Sequence, residues 1–68
     1  MEKQELHRQL QSRFNQYQAR HRRTAEVDLA ITMQLSKGKS VVHVAMDIPC
    51  SESTMYRAIH RVKNFLLK

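Results

Sequence analysis

The sequence predicts an all-α fold, a small domain of four helices. Three observations carry that prediction. Glycine and proline occur once each in 68 residues, while Gln, Arg, Lys, Leu, Met and Ala are plentiful. Apolar residues recur at three- and four-residue spacing along most of the chain. No segment alternates apolar and polar residues with β-branched side chains, as a half-buried strand does.

The first helix is expected over about residues 2–20. Leu6, Leu10, Phe14 and Tyr17 are spaced by four, four and three, which sets them on one stripe. Gln and Arg fill the opposite face. The stripe either packs on the rest of the domain or pairs with a second copy of the chain, so these four residues are a candidate homodimer interface. The segment ends in Arg20, His21, Arg22 and Arg23, where positive charge complements the negative end of a helix dipole. Such a run is either a solvated helix end or an arm for a DNA backbone.

Thr24 is placed to cap a second helix, with Glu26 and Asp28 near its positive end. Val27, Ala30, Ile31 and Leu35 form its apolar positions, with Met33 to one side. Gly38, the only glycine, suits the left-handed position that ends a helix. Ser40 is a cap for a short third helix holding Val41, Val44, Ala45 and Ile48. Pro49 and Cys50 interrupt it, Cys50 reading as a small, half-buried filler. Ser51 caps a fourth helix reaching about Leu67, whose buried face is Met55, Ala58 or Ile59, Val62, and Phe65 or Leu66. Met33, Met46 and Met55 all stand at core spacings. With no repeat and no linker, residues 1–68 read as one domain: an amphipathic helix over 1–21 and a three-helix core over 24–67.

Charge narrows the function. Twelve Lys and Arg against six Asp and Glu give a net +6, which favours a polyanionic partner, nucleic acid first. One cysteine cannot close an internal disulfide. His7, His21, His43 and His60 fall on different segments, without the close pairing of a metal site, and no cofactor is expected. No nucleophile–base arrangement points to an enzyme. No apolar run approaches the roughly 20 residues of a membrane span, and a cytoplasmic protein is expected.

The third and fourth helices, closely joined and with the small Ala45 in the first of them, have the helix-turn-helix arrangement. Residues 41–61 resemble the helix-turn-helix of bacterial and phage transcription regulators and of sigma-factor region 4. The family pattern is Ala-x-x-Leu-Gly-Ile/Val-Ser-x-x-Thr-Val-x-Arg. Ala45 stands at its small crossing residue, Ile48 at its apolar helix end, Ser51 at its cap, and Thr54, Met55 and Arg57 in its Thr-Val-x-Arg run. One departure is Pro49, where the family has glycine; proline cannot take a positive φ, so this turn must have another shape.

The resemblance implies regulation of transcription, with helix 51–67 in the major groove of double-stranded DNA. It places Glu52, Ser53, Tyr56, Arg57 and His60 toward the bases, and Arg57 is suited to grip a guanine bidentately. Lys37, Lys39, Ser51, Thr54, Arg61 and Lys63 are then phosphate contacts, which position without specifying. Two other roles compete. A sigma-like or DNA-packaging accessory protein would act on DNA differently, the former touching RNA polymerase. A helical protein-interaction module would use the Leu6 to Tyr17 stripe and a methionine-bearing surface.

Overall fold

Residues 2–67 are described by a computed structural model, and among them the chain forms five helices and no strand. They are α1 (Lys3–Ser12), α2 (Phe14–Arg20), α3 (Ala25–Ser36), α4 (Val41–Asp47) and α5 (Glu52–Leu66). The all-α class is as expected. There are five helices rather than four because the first segment breaks at Arg13, where the backbone turns to φ −116°, ψ 19°. At the break the Arg13 amide is shared between the Gln9 and Leu10 carbonyls at 3.2 Å each, and Ser12 Oγ donates to the Gln9 carbonyl at 2.9 Å.

The other helix boundaries follow their capping chemistry. Ser40 Oγ accepts from the His43 amide at 3.3 Å, and Ser51 Oγ accepts from the Thr54 amide at 3.2 Å. Gly38, at φ +90°, ends α3 and is the only described residue in the left-handed region. Thr24 does not cap α3. Its backbone is helical rather than extended, and the entry is a tight turn in which the Ala25 amide donates to the His21 carbonyl at 2.8 Å. Between α4 and α5 the four residues 48–51 turn the chain without any positive φ, as Pro49 requires.

The core has two adjoining parts. Leu6, Leu10, Tyr17, Ala25, Val62, Phe65 and Leu66 form one, with Phe14, Leu29 and Ile59 at its margin. Ile31, Leu35, Val44, Met55 and Ala58 form the other, bordered by Val41, Ala45, Ile48, Cys50 and Ile59. Helices α3 and α5 run through both parts; α1 and α2 cover one end and α4 the other. The stripe offered as a homodimer interface is therefore core. Leu6, Leu10 and Tyr17 are buried within the chain and Phe14 is half-buried, because α1 and α2 supply the apolar cover that α3 and α5 need.

Three further expectations are corrected. Val27 and Met33 are 45% and 37% exposed, since the inward row of α3 is Ala25, Asp28, Ile31, Thr32 and Leu35. Both lie roughly 100° or more around the helix from Asp28. Met46 is 75% exposed, on the side of α4 opposite Val44. Of the three methionines placed at core spacings, only Met55 is buried.

Two buried polar residues tie the helices together. Asp28 accepts a hydrogen bond from the Tyr17 hydroxyl and a two-pronged one from Arg61, with Nε at 3.0 Å and Nη2 at 3.1 Å. One carboxylate thus joins α2, α3 and α5. The hydroxyl of Thr32 donates its single proton to the Leu29 carbonyl at 2.9 Å, so at 3.2 Å His7 Nδ1 is the donor to it, linking α1 to α3.

Candidate nucleic-acid interface

Helix α5 divides cleanly into two faces. Met55, Ala58, Val62, Phe65 and Leu66 point inward, at spacings of three, four, three and one. Glu52, Ser53, Tyr56, Arg57 and His60, the five residues assigned to base edges, are all exposed on the other side. Asn64 extends this outward row by one turn.

The fold sets a second basic segment beside that row. Arg20, the last residue of α2, and His21, in the turn that follows, line a groove of about 590 Å³ together with Tyr56, Arg57, His60, Arg61, Asn64 and Phe65. A shallower hollow of about 380 Å³ continues from it, lined by residues 19–24 and Arg61. Among the described residues, no carboxylate lines either depression. Five arginines do, and only Arg61 is paired with an acid among the described residues.

The turn that carries Arg20, Arg22 and Arg23 is anchored from below. Tyr17 and His21 pack with their rings tilted by 41° and 4.6 Å between centroids, and Tyr17 meets Phe65 edge-on at 5.2 Å. The guanidinium groups of Arg13 and Arg20 lie 4.8 and 5.9 Å from the centre of the Phe65 ring. The Asp28–Arg61 pair then fixes α3 against α5. Its hydrogen bond to Asp28 holds the Arg61 guanidinium above its usual value, so it stays charged throughout the working range. Burial, and then the bond to Asp28, push the Tyr17 phenol well above the ordinary value of 10.0.

The phosphate candidates do not form one set. Lys37 is exposed in the loop before α4. Lys39 pairs with Asp47 at 2.8 Å and holds that carboxyl below its usual range. Lys63 lies on the other flank of α5, beside Lys3, Val41, Tyr56 and Ile59. Ser51 and Thr54 are exposed, but their hydroxyls bond each other at 2.9 Å as part of the helix cap. Arg61 has its fork on Asp28 and is 31% exposed; a buried carboxylate needs a cation more than a distant phosphate does.

Sequence spacing could have found Asn64, which continues the 53, 57, 60 row of α5. It marked the basic run of residues 20–23 but not the place of His21 beside α5, which depends on how α2 and α3 pack. No family model matches the chain, and no curated protein or solved structure matches it significantly. The class defined by fold and surface is thus a small all-α domain with a strongly basic groove, in whose lining no carboxylate stands among the described residues.

Proposed function

We propose that this chain is a DNA-binding protein, a prokaryotic or phage transcriptional regulator that inserts α5 into the major groove. One observation carries the proposal: Glu52, Ser53, Tyr56, Arg57 and His60 stand exposed over the first nine residues of α5, with Arg57 unpaired in the described chain. A helix about 10–12 Å across with its side chains matches a major groove about 12 Å wide. The N-terminal half of a recognition helix is the part that reaches base edges. The short link of residues 48–51 between α4 and α5 supports the helix-turn-helix reading.

The test is selection from a randomised duplex pool, with sequencing, at two salt concentrations. A short enriched motif is expected, and Arg57→Ala should weaken binding to it by about 1–3 kcal/mol and relax one position. Salt-sensitive binding with no enriched motif would shift the role to DNA packaging. Absence of binding at low salt would overturn the proposal.

A second reading rests on α4. Val42 and Met46, one turn apart, are 56% and 75% exposed and face away from the core. A protein partner, RNA polymerase in a sigma-like role, would cover such a strip. Co-purification with polymerase that Met46→Gln abolishes would favour this role.

A further inference from the structure

We propose that the turn between α2 and α3 is a separate phosphate clamp, in which Arg22 and Arg23 hold the DNA backbone beside the groove that α5 enters. This rests on the proposal that α5 binds duplex DNA, and adds to it which segment fixes the helix in place. Arg20, Arg22 and Arg23 stand 29 to 32 residues before the start of α5 in the chain, yet their hollow is continuous with the groove of Arg57 and His60 through Arg20, His21 and Arg61.

The charge arrangement calls for an anion. Arg22 and Arg23 are exposed and make no ion pair or side-chain hydrogen bond among the described residues. Arg20 and Arg57 lie on the same surface, and no carboxylate intervenes. Like charges gathered this way repel one another and destabilise the free protein. A row of phosphates relieves that repulsion, and arginine binds phosphate oxygens through two parallel hydrogen bonds. A duplex backbone is favoured over a single small anion because the cations spread over two adjoining hollows rather than converging on one point.

The clamp is also held at a set distance from α5. Tyr17 leads into the turn from α2, Asp28 follows it on α3, and both meet Arg61 of α5 at one carboxylate. Tyr17, Asp28 and Arg61 are positioning residues in this account; Arg22 and Arg23 touch the phosphates.

The experiment measures affinity for one duplex across a salt series, with the intact chain and with the Arg22→Gln/Arg23→Gln variant. Each lost phosphate contact should reduce the slope of log affinity against log salt by about 0.9 and weaken binding on the order of tenfold at 0.1 M salt. The loss should be equal on cognate and unrelated duplexes, whereas Arg57→Ala should act chiefly on the cognate one. The melting temperature of the double variant should be unchanged or higher. A wild-type slope in a variant that still binds would overturn the clamp while leaving the α5 proposal standing. Failure of the unaltered chain to bind DNA would overturn both. A measurement on the unaltered protein guards against misfolding of the variant: the Nε–H resonances of Arg22 and Arg23 should shift on titration with duplex. If α5 resonances move and these do not, the clamp is overturned.

Discussion

Arg57 and Arg61 are one turn apart on α5 and have different tasks. Arg61 meets a carboxylate that is 1% exposed, and Arg57 faces solvent. Replacing Arg61 with Ala leaves Asp28 buried without its cation, which typically costs about 3–5 kcal/mol. Arg57→Ala disturbs no internal contact and should leave thermal stability within about 0.5 kcal/mol. Denaturant unfolding of the two variants should separate them by that margin. Tyr17 adds a pH signature. Its phenol sits above the usual tyrosine value in the folded chain, so the unfolded chain releases this proton first as pH rises. The stabilisation is complete below pH 10 and is lost above it. The melting temperature should fall on moving above pH 10, and the fall should be shallower in Tyr17→Phe, whose reduced stability at neutral pH comes from losing the bond to Asp28. An equal alkaline fall in both proteins would remove Tyr17 as its source.

At the scale of the helices, much could be read from sequence because the decisive forces are local. The cap residues Ser40 and Ser51 bond amides three residues ahead, and no distant partner is involved. Gly38 was legible for the same reason. At φ +90° with open space around the position of a Cβ, it is needed for backbone conformation alone. Gly38→Ala should therefore cost about 1 kcal/mol, through strain rather than collision. A chemical-denaturation midpoint equal to that of the unaltered chain would show that the turn relaxes without penalty. Helical period likewise placed Met55 and Val62 on the inward row of α5 and left Ala58 or Ile59 open between them; the packing buries Ala58. The break at Arg13 was less accessible. It carries neither glycine nor proline and stands in a run of good helix formers. Thr24 has the residue type of a cap but not the extended backbone of one, because the turn around His21 sets its conformation.

For the whole molecule, the outstanding choice was where the Leu6 to Tyr17 stripe goes. A narrow apolar stripe looks the same whether a neighbouring helix or a second molecule covers it. Here α1 and α2 lie across α3 and α5, and the stripe closes one end of the core. Leu10→Ala should thus destabilise by about 2–5 kcal/mol. In a chain of this size that is a drop in melting temperature of roughly ten degrees or more. Sedimentation under native conditions should give the same association state before and after the change; a shift from dimer to monomer would return the stripe to an interface. The same packing brings the charges of the α2–α3 turn to α5. With net charge +6 and five arginines lining adjoining depressions, the free protein should gain thermal stability as salt is added, since screening weakens the repulsion.

The sequence by itself determined the all-α class, most helix boundaries, the buried row of α5 and the excess of positive charge. These depend on residue type and on spacing within one or two helical turns. Tertiary structure decided the rest. It turned Asp28 from a helix-start charge into a buried partner of Tyr17 and Arg61, it left Val27, Met33 and Met46 at the surface, and it set Arg20, Arg22 and Arg23 beside Arg57 and His60. Which side of a helix meets another, and which distant charges share a surface, depends on how helices pack against one another, and short-range spacing carries no record of that.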